Sequence, residues 1–148
     1  MKLTRKLAVA ALAVALVPAL RLAAQEQDPG GRRFSTMLEG SQEVPGPGDP
    51  DGSGTVEITL NHGQGQVCWI LTVAGIDTAN AAHIHRGVSG ERGAVVVPLE
   101  APADGSSDGC ADADRELIKE ILQSPEQFYV NVHNAEYPDG AIRGQLGK

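Results

Sequence analysis

Ala81-Ala82-His83-Ile84-His85-Arg86-Gly87 is answered some fifty residues later by Tyr129-Val130-Asn131-Val132-His133. Both stretches alternate with period two, the side-chain repeat of a β-strand. In the first, Ile84 points one way while His83 and His85 point the other. In the second, Val130 and Val132 oppose Tyr129, Asn131 and His133. As strands of one sheet, the two segments place three of the chain's four histidines on a polar face and the aliphatic residues on a core face. Imidazoles two residues apart on a strand start roughly 7 Å apart at the backbone. A third, from a neighbouring strand, arrives roughly 5 Å to the side. The parity therefore predicts a three-nitrogen metal site at His83, His85 and His133.

The surrounding sequence is built from the same kind of element. Phe34 to Leu38 reads as a first strand, followed by a long Pro-, Gly- and Asp-rich loop from Gly40 to Gly54. Thr55 to Leu60 alternates with Val56, Ile58 and Leu60 inward, and Val67 to Val73 alternates with Val67, Trp69, Leu71 and Val73 on one face. The turn chemistry of Asn61 to Gly65 joins them as a hairpin with His62 at its tip, read as a solvated turn residue. Ala94 to Leu99 is a near-continuous apolar run, read as a buried strand ended by Pro98. Glu100 to Gly109 is read as a second polar loop. Asp112 or Asp114 is placed to cap one short helix running to Gln123, with Leu117, Ile118, Ile121 and Leu122 as its apolar stripe. Phe128 to His133 and Ala141 to Leu146 complete about seven strands, and this pattern predicts an all-β sandwich.

Composition narrows the function. Lys2, Arg5 and Lys6 precede an apolar run from Leu7 to Leu20, and small residues follow at Ala23 and Ala24. Residues 1–24 thus have the form of a secretory signal cleaved near Ala24. The run is shorter than the roughly 20 residues a membrane span requires, so no span is expected after cleavage. Residues 25–33 read as a flexible lead-in and 34–148 as one exported domain, periplasmic or extracellular. Formal net charge is −7, and removing the signal's basic residues makes the remainder more acidic still. A chain of that charge repels phosphate, which excludes nucleic acid and anionic membranes as natural partners.

Two cysteines, Cys68 and Cys110, in an exported chain are read as a disulfide, with free thiols or metal ligation as the alternatives. Closing a loop of about 42 residues destabilises the unfolded chain by roughly 4 kcal/mol in the loop-entropy model. The serines fall in loops, no Gly-x-Ser-x-Gly is present, and no carboxylate pair stands out. No catalytic residue is assigned, and the chain is read as a binding protein rather than an enzyme.

Four separated motifs occur in order: Gly-Ser-Gln-Glu-Val-Pro at 40–45, Ala-His-Ile-His-Arg-Gly at 82–87, Tyr-Val-Asn-Val-His at 129–133 and Ile-Arg-Gly-Gln-Leu at 142–146. Together they resemble the CHRD domain, the module named from chordin that also occurs singly in exported bacterial proteins. The resemblance implies an immunoglobulin-like or superoxide-dismutase-like Greek-key sandwich and a binding role. The His-x-His strand is also similar to the copper strand of copper–zinc superoxide dismutases. This chain lacks their histidine-rich zinc loop, so the likeness points to a copper-type site more than to dismutase activity.

Copper(II) binds nitrogen sites most tightly among the divalent first-row ions, so copper is the expected metal and zinc the alternative. Protonation competes with ligation, and affinity is expected to fall below about pH 6. Asn131 and Tyr129 share the histidine face and are placed to orient the rings. Arg143 shares the polar parity of the last strand. It is read either as attracting an anion to a bound cation or as an ion pair with Asp139 or Glu91. Glu43 is read as a hydrogen-bond acceptor ordering its loop, with a role near the metal as the alternative. Two competing functions remain: an extracellular protein-interaction or adhesion module with structural histidines, and a superoxide-dismutase-like redox activity.

Overall fold

The computed structural model describes residues 30–147, so the predicted signal, the first part of the lead-in and the final lysine lie outside the described residues. Eight antiparallel strands follow in order: β1 (Arg32–Glu39), β2 (Ser53–Asn61), β3 (Gln66–Ala74), β4 (Ala79–Arg86), β5 (Val95–Leu99), β6 (Ser106–Asp112), β7 (Phe128–Asn134) and β8 (Ile142–Gln145). One helix, α1 (Arg115–Gln123), lies between β6 and β7. The strands form a single hydrogen-bonded sheet in the order β5-β4-β7-β8-β1-β2-β3-β6. Between β8 and β1 the ladder thins to one pair, Glu39 with Arg143. That narrow join divides the sheet into two four-stranded halves which fold over a shared core, a sandwich that is nearly a closed barrel. The sequence neighbours β3–β4 and β5–β6 belong to opposite halves, as Greek-key connections require.

Alternation fills the core as the sequence predicts. Val56, Ile58 and Leu60 of β2, Val67, Trp69 and Leu71 of β3, Ile84 of β4, and Val130 and Val132 of β7 are all buried in one cluster. Cutting a large aliphatic residue of this kind back to alanine costs about 2–5 kcal/mol. The α1 helix begins where Asp114 accepts from the backbone N–H groups of Glu116 and Leu117, which stabilises its first turn by about 1 kcal/mol. It buries Ile118 and Ile121 into the cluster, while Leu117 and Leu122 pack at its margin. Cys68 and Cys110 sit directly opposite one another on β3 and β6 and are joined by a disulfide, with Cα atoms 4.0 Å apart.

Three expectations about elements change. The first strand starts at Arg32, two residues before Phe34. Residues 106–109 of the second polar loop belong to β6, an edge strand held by its pairing with β3 and not by any apolar face of its own. The apolar run at 94–99 is also an edge strand. Only Val97 and Leu99 are buried, Val95 is half exposed, and the strand continues through Pro98 to Leu99. An edge tolerates proline because one side of the strand needs no N–H donor.

Candidate metal-binding site

The β4–β7 ladder sets the site. His83 lies directly opposite Asn131, His85 opposite Tyr129, and Ala81 opposite His133. The histidine, asparagine and tyrosine side chains leave the sheet on the face away from Ile84, Val130 and Val132, as the alternation requires. Asn131 is therefore at the middle of the face, with His83 beside it on β4 and Arg143 beside it on β8. His62 is exposed at the β2–β3 turn and is not part of the group.

The three imidazoles converge. One ring nitrogen from each of His83, His85 and His133 lies within 4.8 Å of the others, a set able to hold a metal ion. His83 Nδ1 is 3.2 Å from His133 Nε2. Two nitrogens bound tetrahedrally at about 2.05 Å are roughly 3.3 Å apart, so this pair already has a chelating separation. The set as a whole spans up to 4.8 Å, so its widest pair must close by up to about 1.5 Å to complete a tetrahedral coordination sphere.

Backbone carbonyls fix two of the tautomers. His85 Nδ1 is 2.9 Å from the Gly93 carbonyl, and His133 Nδ1 is 3.0 Å from the Pro138 carbonyl. A carbonyl only accepts, so in each neutral ring the proton sits on Nδ1 and the lone pair on Nε2. His85 Nε2 is buried with no hydrogen-bond partner of good geometry, although the nearby Asn131 amide favours the ring's charged form. An orphaned, buried lone pair beside two other imidazoles is the clearest chemical signal in the molecule.

The electrostatics keep the rings neutral. Burial, followed by the neighbouring His133 and His85, lowers the pKa of His83 to about 4. His85 and His133 are also shifted down, chiefly by burial. Burial thus favours proton competition setting in at lower pH than for free imidazole.

A second layer of buried polar groups supports the rings. Tyr129 stacks on His85 with ring centroids 4.8 Å apart and planes 7° from parallel. The Arg143 guanidinium in turn lies over the Tyr129 ring, 3.4 Å from its centroid. Arg143 is 1% exposed and gives hydrogen bonds to the carbonyls of Glu91 (2.8 Å) and Val88 (2.9 Å) and to Gln145 Oε1 (3.1 Å). The Tyr129 hydroxyl accepts from the Gly93 N–H, so the loop from Gly87 to Gly93 is pinned at several points.

Among the described residues, Arg143 forms no salt bridge with Asp139 or Glu91. Asp139 pairs with Arg92 at 2.7 Å, and Arg143 binds the backbone of Glu91. Its donors face protein acceptors, which makes it an anchor of the loop.

Glu43 is 5% exposed, in the loop after β1. Burial raises its pKa to about 7, opposed by the Arg143 charge, the Val44 backbone and a hydrogen bond from Asn131. Gly140, with φ of +143°, sits against this carboxyl, where any side chain would collide with it. Sequence parity carries no sign that Glu43 lies within electrostatic reach of Arg143, because the loop geometry that brings it there has no periodic signature.

The family model of the CHRD domain matches residues 34–146, about three quarters of the chain. The chain belongs to the CHRD-domain family. Its matched region begins inside β1 and ends just beyond β8, so it contains all of the sandwich but the first two residues of β1, and every residue of the histidine face. No curated protein and no solved structure matches the chain. Among the described residues, no helix is long and apolar enough to cross a membrane.

Proposed function

We propose that this CHRD protein is an exported metal-binding domain that holds a transition-metal ion through His83, His85 and His133. The observation that carries this reading is the convergence of one imidazole nitrogen from each of the three histidines within 4.8 Å, on a face where His85 also keeps a buried and unpartnered Nε2. Depressed pKa values support it further, because each ring offers a lone pair at neutral pH without first losing a proton. Copper(II) is favoured by the stability order of nitrogen complexes and zinc is the alternative. The predicted signal and the disulfide are in keeping with a protein that meets its metal outside the reducing cytosol.

Titration of the purified chain with copper(II) and zinc, followed by calorimetry, tests the proposal. One equivalent should bind, and the His83→Ala, His85→Ala double variant should lose that binding. A second reading, a protein-interaction module, draws on Met37 and Ile70. They are 63% and 58% exposed in one shallow groove on the outer face of β1 and β3. No metal uptake by the intact fold would leave that reading in place.

A further inference from the structure

We propose that Asn131 Oδ1 is a fourth ligand, so that the ion is held by three nitrogens and one oxygen. The inference rests on the three-histidine reading and extends it from an open site to a closed one.

Its basis is a contact that makes poor sense without a cation. His133 gives its single proton to the Pro138 carbonyl, which leaves a bare lone pair on Nε2. Asn131 Oδ1 lies 3.0 Å from that nitrogen. A hydrogen bond from His83 Nδ1 could satisfy Nε2, but Oδ1 would still face an acceptor. Two acceptors at that distance repel unless something positive lies between or beside them.

Turning the amide over would relieve the clash by presenting Nδ2 to His133. Glu43 opposes the turn. Above its pKa of about 7 the Glu43 carboxylate only accepts, so it favours the Asn131 N–H group, and the reversed amide would aim Oδ1 at carboxylate oxygen instead. Glu43 is held there by burial against Gly48 and Gly140. The carboxylate therefore acts as a positioning residue for the Asn131 oxygen.

The spacings agree with shared coordination. Neighbouring ligands of a tetrahedral ion with bonds of about 2.05 Å are roughly 3.3 Å apart. His83 Nδ1 to His133 Nε2 is 3.2 Å, and His133 Nε2 to Asn131 Oδ1 is 3.0 Å. Asn131 is at the centre of the face, opposite His83 and between the positions of Tyr129 and His133. A set of three imidazoles and an amide oxygen selects a borderline divalent ion, zinc or copper(II), over cuprous copper, which prefers sulfur.

Cobalt(II) is the probe, because four-coordinate cobalt absorbs visible light far more intensely than six-coordinate cobalt. The unaltered chain should take up one cobalt with intense four-coordinate bands. Asn131→Leu should bind cobalt and zinc at least about tenfold more weakly and display shifted, weaker bands. A folded Asn131→Leu protein with unaltered affinity and bands overturns the inference while leaving the histidine site intact. Should that variant not fold, Glu43→Gln decides, since glutamine lets the Asn131 amide turn: altered bands support the inference and unchanged bands with unchanged affinity refute it. If the unaltered chain binds copper(II) but neither cobalt nor zinc, the four-ligand site is refuted and the histidine reading stands; if it binds none of the three, the histidine reading itself falls and takes this inference with it.

Discussion

Replacing Arg143 with leucine tests whether the polar layer behind the histidines holds the site together. The guanidinium makes three hydrogen bonds, to the Glu91 and Val88 carbonyls and to Gln145, and it lies on the Tyr129 ring. Charged-donor bonds contribute about 1.5–3 kcal/mol each in favourable cases, which sets an upper bound well above the net effect. Burying a guanidinium carries a desolvation cost that cancels much of this. Removing one partner from such a buried network typically costs about 3–5 kcal/mol, because the acceptors left behind stay dry and unpaired. The Glu91 and Val88 carbonyls belong to the loop that also supplies the Gly93 carbonyl to His85. Arg143→Leu should therefore lower unfolding free energy by about 3–5 kcal/mol in urea and also weaken metal binding. A loss below about 1 kcal/mol, with metal affinity unchanged, would refute the view of Arg143 as the loop's anchor.

Acid should weaken both the fold and the site. His83 titrates near 4 when folded and near its ordinary 6.5 when unfolded, so the unfolded chain binds more protons between those values. Its contribution to stability is complete above about pH 6.5 and is lost as pH falls toward 4, which denaturation at stepped pH will measure. Metal affinity should accordingly persist below the range where free imidazole protonates, and a steep loss centred on about pH 6.5 would contradict the buried environment assigned to the rings. Cys68→Ser with Cys110→Ser should cost roughly 4 kcal/mol by removing a constraint on the unfolded chain, and urea titration of the variant checks it.

Much of the architecture follows from period-two patterning, and the histidine cluster is its direct consequence. Parity alone sends His83, His85 and His133 to the side away from Ile84, Val130 and Val132, because a strand leaves no other choice. The edges are harder to see. Ser106-Ser107-Asp108-Gly109-Cys110-Ala111-Asp112 has almost no apolar signal, yet its backbone pairs with β3 and the disulfide secures it. The continuous run at 94–99 misleads in the opposite sense: it is apolar at every position, and an edge strand still leaves Val95 in water.

The polar layer is only partly legible. Strand parity places Asn131, Tyr129 and Arg143 on the correct face but suggests an open surface. Loops fold over that face and bury it, using backbone carbonyls from Val88, Glu91, Gly93 and Pro138 as acceptors. Backbone acceptors have no side-chain signature in the sequence, which is why the anchoring role of Arg143 emerges only from the fold.

The metal content of the untagged protein, purified from its native source, tests the central claim most directly. The account predicts close to one transition-metal ion per chain, and near-complete loss of that ion in the His83→Ala, His85→Ala variant. Wild-type protein that emerges folded and free of metal, or a double variant that retains its ion, would contradict it.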